Sequence, residues 1–400
     1  MRFDYSASSM SHFSASTLGH PEQRYLPLPA SRRRVAITAP NGAALISACH
    51  GLILDMINRG HRVFALAPQL SNRDLRILSH IGAEAYALPD NTELMDRYRQ
   101  MREMASTFRD IDPDVVIVQS ARSGGTAVAA AKIARVQNVV TIVPTLGPAF
   151  MEGASGAAWA ERQGMKAFYR TIFSLSDAVI FHSAHDQRFA LKSRILSRSK
   201  PCLNVGGWGE DLTRNFQRPL PALDRGVLFL MAAPLDRLQG IVEYCEAAKT
   251  MRLRARHARF FLASPPGESF SPFPLAELRR YREFVQYIGQ VDDAASLISR
   301  CHVVVAPSYG NGAPRALFQA LAVGRPVITT DTRSCRDFVR QGVNGYVVPV
   351  RNTDMLCRAM TQILQRPDQI PLMAEESRRI ALRFYDINAV NGIVLEALGL

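Results

Sequence analysis

The chain lacks closely spaced cysteines, clustered metal ligands and long apolar runs. Its six cysteines are scattered, with no C-x-x-C pair and no histidines at metal-ligand spacing, so neither a disulfide framework nor a structural zinc site is indicated. This cysteine usage suits a reducing compartment, and we expect a cytoplasmic protein without a bound metal. No apolar stretch approaches the ~18–20 residues of a membrane-spanning helix.

Lysine is also scarce, although positive charge is in excess. The formal net charge is +13, and only 5 of the 48 basic residues are lysines. Arginine donates two parallel hydrogen bonds to phosphate, so the charge favours anionic partners such as nucleotide diphosphates or the headgroups of an anionic membrane. An arginine bias on a solvated surface explains the same charge, and both interpretations stay open. No basic–aromatic module is present, so we expect no nucleic-acid partner.

Strands and helices alternate through two successive series, in a chain longer than a single core usually supports. We predict a disordered leader at 1–33, an N-terminal domain at 34–216, a linker at 217–225, a C-terminal domain at 226–380, and a helix at 381–400 that packs back toward the N-terminal lobe. The pattern predicts an α/β fold of two doubly wound, Rossmann-like lobes with parallel sheets, facing each other across a cleft.

One amphipathic helix has two interpretations. Its apolar stripe includes Met165, Phe168 and Phe173, and Arg162 and Lys166 lie on other faces. This composition is typical of a helix lying in a membrane interface. Packing of a surface helix on its own domain explains the same stripe more simply. Peripheral association with the inner face of an anionic membrane therefore stays open.

A single segment combines a strand end, glycines and a helix start. A buried strand ends at Pro307, Gly310 and Gly312 occupy the following loop, and Pro314 stands where a first helical residue belongs. In doubly wound sheets, ligands bind outside the carboxyl ends of strands, and the N–H groups at a helix start attract anions. The glycines would let a ligand approach the backbone closely. The segment therefore predicts a site for a phosphorylated ligand.

Several runs of sequence also match one known family in order and spacing. They are Arg59-Gly-His-Arg-Val63, Thr145-Leu-Gly-Pro-Ala-Phe150, Gly209-Glu-Asp-Leu-Thr-Arg-Asn-Phe216, Pro307-Ser308, Gly312, Pro314-Arg315, Ala320-Leu-Ala-Val-Gly-Arg-Pro-Val-Ile-Thr-Thr-Asp331, Cys335-Arg-Asp-Phe-Val339 and Gly342-Val-Asn-Gly-Tyr-Val-Val-Pro349. Together they resemble family 4 retaining glycosyltransferases with the GT-B fold, above all those that build bacterial surface polysaccharides on polyprenyl-linked acceptors. The resemblance covers about Arg34 to Leu400.

The resemblance implies a nucleotide-sugar donor, a lipid-linked glycan acceptor and no cofactor, because the nucleotide-diphosphate sugar is itself the substrate. It also implies that the domain at 34–216 is the acceptor-side domain and that the domain at 226–380 binds the nucleotide sugar. The implied donor-binding residues are Asn311, Gly312, Ala313, Pro314, Arg315 and Gln319, with Arg237 as a further candidate. Candidates on the acceptor side are Asn41, Gly42, Arg122 and Gly147. The resemblance leaves the catalytic residues unassigned.

Four positions depart from the family pattern. Members usually carry two glutamates in the donor loop, where this chain has Asn311 and Gln319, and an arginine and a lysine on the donor diphosphate, where it has Pro234 and Gln239. Losing two cationic contacts could weaken donor binding by roughly 3–6 kcal/mol. Arg122, Arg237 and Arg315 could compensate, although a solvated surface arginine is the simpler explanation of each.

Two functions follow from this pattern. The first is a retaining, hexosyl-type glycosyltransferase of bacterial surface polysaccharide or exopolysaccharide biosynthesis, in which arginines and helix N-termini act where other enzymes use a metal. The alternative is a catalytically inactive GT-B protein that binds sugar or nucleotide, or serves as a scaffold subunit. The uncharged residues at these four positions are compatible with either function.

Overall fold

The computed structural model describes residues 32–89, 94–122, 124–150, 157–207, 209–213, 215–255, 257–265, 269, 271–291, 294–309, 313–332, 335–336 and 338–400. The predicted leader lies almost wholly outside these residues. The chain forms two compact units. One contains the described residues of Met1–Pro144, Lys166–Gly206 and Asn391–Leu400, and the other those of Thr145–Met165 and Gly207–Val390.

The first unit is built on a parallel sheet. Its strands are β1 (Arg34–Thr38), β2 (Arg62–Pro68), β3 (Glu84–Leu88), β4 (Val115–Gln119), β5 (Asn138–Val143), β6 (Ala178–Phe181) and β7 (Cys202–Asn204). Its helices are α1 (Gly42–Asn58), α2 (Asn72–His80), α3 (Leu94–Ile111), α4 (Gly125–Ile133), the part of α5 (Ala157–Leu175) from Lys166 on, and α6 (Ala184–Lys192). The strands lie in the order β3-β2-β1-β4-β5-β6-β7, and each neighbouring pair is parallel.

The second unit repeats this plan with six strands. They are β8 (Leu228–Ala232), β9 (Arg259–Ser264), β10 (Gln286–Gln290), β11 (Val303–Ala306), β12 (Val327–Thr330) and β13 (Gly345–Val348). Its helices are α7 (Ile241–Arg254), α8 (Leu275–Leu278), α9 (Ala294–Ile298), α10 (Arg315–Val323), α11 (Thr353–Gln365) and α12 (Ile370–Phe384); the last helix of the chain is α13 (Ile387–Leu398). The strand order is β10-β9-β8-β11-β12-β13, again all parallel.

Both sheets are doubly wound, and this positions the candidate sites. The strand order reverses beside β1 and β4 in the first unit and beside β8 and β11 in the second. Ligands in such folds bind beyond the carboxyl ends of the strands at this reversal, where the connections diverge to opposite faces. The predicted pair of doubly wound, Rossmann-like units is confirmed.

The second sheet is covered on both faces, which explains why its central strands are continuous apolar runs. One face packs Tyr244 and Met360 against Phe229, and the other packs Leu317 and Phe318 against Val304. On each face of the sheet, the strands and the helices packed on them share one hydrophobic core. A rigid sheet therefore holds the loops that follow β8 and β11.

The structure corrects three local expectations. Helix α2 was not predicted, although Ser71 and Asp74 form a capping box at its start. The short edge strand β7 was also missed. Pro314 is the N-cap of α10 rather than its first helical residue, because its ψ of 140° is extended.

The amphipathic helix α5 uses its apolar stripe for packing. Tyr169, Ile172 and Phe173 are buried in the first unit, and the ring of Phe168 lies against Gly125. Trp159, near the start of the helix, is 62% exposed. The simpler interpretation of this helix, packing on its own domain, therefore accounts for the stripe.

Candidate functional site

The candidate site of the second unit lies where the loops after β8 and β11 meet. The N–H of Tyr309 donates to the carbonyl oxygen of Leu238 at 3.0 Å, which ties the two loops together. Gly240 has a φ of +79°, and a Cβ built there would lie 2.3 Å from the carbonyl oxygen of Pro307. Glycine is therefore required at this position both for its backbone conformation and for the close approach.

Asp236 shapes the loop after β8. Its side chain is fully buried, and one carboxylate oxygen accepts from the N–H of Leu238 at 2.7 Å. The other accepts from the N–H of Ser271 at 2.9 Å and the hydroxyl of Ser269 at 3.1 Å. This carboxylate fixes the segment that carries Pro234 and Gln239, both of which are half-buried.

Arg237, one of the predicted donor contacts, is engaged within the protein. Its guanidinium forms an ion pair with Glu277 and lies 5.2 Å from the centroid of the Phe273 ring. The side chain is still 40% exposed. A ligand contact from Arg237 would have to share the guanidinium with Glu277.

Helix α10 begins at the site without a side-chain cap. Its N-cap is Pro314, which has no side-chain acceptor, and no acidic residue stands in the first turn. As far as the described residues show, the positive end of the helix dipole and the N–H groups of the first turn are therefore available to an anion. Ala313 and Pro314 are half-buried at this end. Asn311 and Gly312 lie outside the described residues.

Arg315 and Gln319 share one face of α10 because they are four residues apart. The Nε atom of Arg315 lies 3.9 Å from a carboxylate oxygen of Glu210, and the arginine side chain is 43% exposed. Gln319 is buried, with 8% of its surface exposed. The face thus carries a partly exposed cation one turn before a buried amide.

Glu210, part of the run Gly209 to Phe216, is a candidate residue that the sequence did not indicate. It is 3% exposed, accepts from the side-chain amide of Asn215 at 2.5 Å, and its backbone N–H donates to the carbonyl oxygen of Tyr385. The carboxylate of Glu210 is thus buried beside Arg315. No local sequence signal could have found the pair, since the two residues are far apart in the chain.

A second group anchors the loop after β11. The hydroxyl of Tyr309 points to the carboxylate of Glu243 at 3.4–3.5 Å, and the guanidinium carbon of Arg351 lies 5.1 Å from the centroid of the tyrosine ring. Burial, together with the nearby carboxylate of Glu243, raises the pKa of Tyr309 to about 12. The phenol therefore stays protonated and donates to Glu243.

The acceptor-side candidates follow strands of the first unit, with one exception. Asn41 caps α1 by accepting from the N–H of Ala44 at 2.7 Å, and Gly42 begins that helix after β1. Arg122 is exposed in the loop after β4. The structure thus places these three at the strand reversal of the first sheet. Gly147, with a φ of +86°, belongs to the second unit.

Two further surveys concern metals and membranes. Within the described part of the chain, no group of three or more histidine, cysteine, aspartate or glutamate side chains could hold a metal ion. Likewise, none of the described helices is long and apolar enough to cross a bilayer.

Two family models match the chain. The model described as "Glycosyl transferases group 1" matches residues 226–366, and that described as "Glycosyl transferase 4-like domain" matches residues 46–199. The first match spans the loops after β8 and β11, and the second begins within α1 and includes β4 and the loop that follows it.

Two curated relatives are similar over most of their length. The chain is 23% identical over 306 residues to "Putative glycosyltransferase EpsD" of Bacillus subtilis, which covers 73% of this chain and 77% of that protein. It is 20% identical over 371 residues to "N,N'-diacetylbacillosaminyl-diphospho-undecaprenol alpha-1,3-N-acetylgalactosaminyltransferase" of Campylobacter jejuni, which covers 89% of this chain and 96% of that protein.

Solved structures show the same fold. Anabaena HepE in complex with UDP and glucose superposes with a TM-score of 0.72 at 14% identity, over 92% of this chain and all (100%) of that one. Sucrose-phosphate synthase from Thermosynechococcus elongatus superposes with a TM-score of 0.71 at 18% identity, over 92% and 99% of the two chains. At such low identity these likenesses show the fold alone.

Proposed function

The chain belongs to the family 4-type glycosyltransferases with the GT-B fold, and from this premise we propose that it transfers a hexosyl group, with retention, from a nucleotide-diphosphate sugar to a lipid-linked acceptor. The uncapped start of α10 at the strand reversal of the second sheet carries the proposal. An anionic diphosphate placed there would meet the positive end of a helix dipole. No cofactor or resident metal has a part in the proposed reaction.

The residues of α10 have separate roles in this proposal. The first-turn N–H groups and Arg315 stabilise the negative charge that grows on the nucleotide diphosphate as its bond to the sugar breaks. Glu210 is a positioning residue, since its buried carboxylate holds the guanidinium of Arg315. Gln319, at the position of a family glutamate, hydrogen-bonds the ribose hydroxyls without charge assistance.

A lipid-linked acceptor is supported by a relative. The Campylobacter jejuni protein acts, by its name, on a sugar joined to diphospho-undecaprenol. We place the acceptor of this chain in the same chemical class, and its contacts at Asn41, Gly42 and Arg122. The proposal puts the reaction at the cytoplasmic face of the cell membrane, in the assembly of a surface polysaccharide.

The first experiment measures donor binding and transfer. Calorimetric titration with UDP, GDP and the corresponding nucleotide sugars identifies the nucleotide that binds. Transfer of the sugar is then measured with polyprenyl-diphosphate-linked sugars as acceptors. Arg315→Gln should weaken nucleotide diphosphate binding by about 10- to 100-fold, because a hydrogen bond to a charged group contributes about 1.5–3 kcal/mol. Arg358→Gln, on the exposed side of α11, is the matched control and should bind like the parent.

Two results would count against the proposal. If no nucleotide or nucleotide sugar binds at millimolar concentration, the donor site does not exist in the proposed form. If nucleotide binds and no donor–acceptor pair yields transfer, the chain is the catalytically inactive protein of the alternative.

A second experiment restores the family charges on the loop after β8. The double change Pro234→Arg and Gln239→Lys adds two cations to this loop, and we expect nucleotide diphosphate binding to tighten by about 100-fold or more, because two such contacts contribute roughly 3–6 kcal/mol. An unchanged dissociation constant would show that the diphosphate does not approach this loop.

A further inference from the structure

Two arginine-rich segments of the second unit come together in space. One leads from the end of α7 into β9 and carries Arg252, Arg254 and Arg259, and the other is Arg279-Arg-Tyr-Arg282, which lies between α8 and β10. They border a groove of about 740 Å³ along the edge strand of the sheet. The arginines that line this arginine groove are Arg252, Arg259, Arg279 and Arg282.

The arginine groove has one carboxylate in its lining and an apolar wall. Glu283 is the acidic residue among the lining side chains, so positive charge dominates. Phe261, Phe284 and Tyr287 supply aromatic surface, and the guanidinium of Arg259 lies 5.4 Å from the centroid of the Phe261 ring. The groove thus combines phosphate-binding groups with surface that suits an apolar partner.

Large aliphatic side chains are exposed around the same arginines. Leu253 is 74% exposed beside Arg252, Leu275 is 52% exposed in the groove lining, and Ile288 is 41% exposed on the edge strand β10. A nucleic acid is bound through its phosphates and gains little from such side chains. A membrane interface stabilises both, because arginines meet the headgroups while aliphatic side chains enter the acyl boundary.

We propose that the arginine groove is a membrane-binding surface that takes the phosphate headgroups of anionic phospholipids. The guanidinium groups bind headgroup phosphates through paired hydrogen bonds, and Leu253 and Leu275 insert beside them. This surface lies on β9, β10 and their flanking helices, whereas the donor site follows β8 and β11. Membrane binding can therefore be tested without a donor.

The test is flotation of the full chain with vesicles of phosphatidylcholine alone or with about one-third phosphatidylglycerol. The groove variant carries Arg252→Gln, Arg259→Gln, Arg279→Gln and Arg282→Gln. The control variant carries Arg76→Gln, Arg97→Gln, Arg102→Gln and Arg109→Gln, which are exposed on α2 and α3 of the first unit. Both variants lower the formal net charge of +13 by four.

We expect the parent to float with the anionic vesicles and not with phosphatidylcholine alone. The groove variant should lose about 100-fold or more in vesicle affinity, since each basic residue at an anionic surface contributes about a factor of five. The control variant should retain most of the parent's affinity. Circular dichroism melting of all three proteins verifies that they are folded.

A further variant distinguishes insertion of the leucine side chains into the bilayer from adsorption of the protein by charge alone. Leu253→Ser with Leu275→Ser keeps every arginine and should bind anionic vesicles about 5- to 10-fold more weakly, because it buries less apolar surface. The proposal is overturned if this variant binds like the parent, or if the groove variant does. It is also overturned if the control variant loses as much affinity as the groove variant, or if the groove arginines are needed for binding a DNA duplex while the vesicles are not bound.

Discussion

At the scale of single residues, Arg325 is a fully buried cation held by main-chain carbonyl groups. Its Nε donates to the carbonyl oxygen of Cys301 at 2.9 Å, and one terminal nitrogen donates to that of Arg218 at 2.9 Å. The other terminal nitrogen donates to the carbonyl oxygens of Pro219 at 2.9 Å and Ser299 at 2.7 Å. Burial lowers the pKa of Arg325 from its ordinary value. The side chain thus fastens the segment at Arg218 and Pro219 to the strand–helix framework of the second unit, to which both belong.

We predict that Arg325→Met destabilises the second unit by about 3–5 kcal/mol, because several buried carbonyls lose their donor at once. Arg325→Lys should recover only part of this loss, since an ammonium group cannot reproduce the planar fork. Guanidinium-induced unfolding followed by circular dichroism measures the change. Arg300→Met, at an exposed position nearby, should change the stability by about 0.5 kcal/mol or less.

His182, which follows β6 in the first unit, predicts a pH dependence. Burial lowers the pKa of His182 to about 4. Below an unfolded-state pKa of about 6.5 the unfolded chain binds more protons than the folded one, so stability falls as the pH drops from about 6.5 to about 4. At pH about 5 the loss from this group should reach about 2 kcal/mol.

The measurement compares unfolding midpoints of the parent and His182→Asn at neutral pH and at about pH 5. The variant lacks the titrating ring, so its two midpoints should lie closer together than those of the parent, even if it is less stable at both pH values. An equal pH effect in the two proteins would assign the acid sensitivity to other groups.

At the scale of elements, Gly240 sets the contact between the loops after β8 and β11. We predict that Gly240→Ala lowers stability by about 2 kcal/mol or more and weakens nucleotide binding, because the new Cβ would overlap the Pro307 carbonyl and push the loops apart. Gly342→Ala is the matched control. Gly342 has a similar φ of +72° with nothing within 4 Å of a built Cβ.

Comparing Gly240→Ala with Gly342→Ala separates the effect of the close approach to Pro307 from the cost of placing alanine at a positive φ. Thermal melting and UDP titration of both variants provide the two readouts. The interpretation fails if Gly342→Ala is as destabilising as Gly240→Ala, since the positive φ would then account for the whole effect.

The sequence predicted most elements, because strands buried on both faces are continuous apolar runs and helices are amphipathic. The strand Val115–Gln119 and the helix that follows Pro314 are examples. Strand β7 was missed because three residues at a sheet edge carry too little pattern. Helix α2 was missed although the capping box of Ser71 and Asp74 was legible in the sequence.

The site was less predictable, because its geometry depends on contacts between distant parts of the chain. The loop at Pro307 could be selected from its glycines and strand end, yet its bond to Leu238 and the pairing of Arg315 with Glu210 join segments that are far apart in sequence. Family resemblance located Gln319 and could not show that it is buried.

At the scale of the whole molecule, part of the net charge of +13 comes from arginines that the fold brings to one place. The charge alone indicates phosphate-bearing partners in general and does not single out the two arginine-rich segments. These segments are separated by β9 and α8 and meet only because β9 and β10 are neighbours at the edge of the sheet. The fold converts two separate basic runs into the arginine groove.

The division into two units leads to a final prediction about where nucleotide acts. Each unit has its own parallel sheet, and the candidate donor loops belong to the second. A ligand that binds the folded second unit should therefore slow hydrogen exchange in that unit. We expect saturating UDP, or whichever nucleotide diphosphate binds, to protect peptides that contain Pro234–Gly240 and Arg315–Val323, while β1 to β5 of the first unit exchange as in the free protein.

Hydrogen exchange with mass spectrometry measures this directly, and Arg315→Gln at the same nucleotide concentration is the control. Protection should shrink in that variant at both peptides, because reduced affinity lowers the bound fraction. Protection confined to the first unit would place the nucleotide at the strand reversal of β1 and β4. The helix α10 would then have no part in donor binding, and the roles given to Arg315 and Gln319 would be wrong.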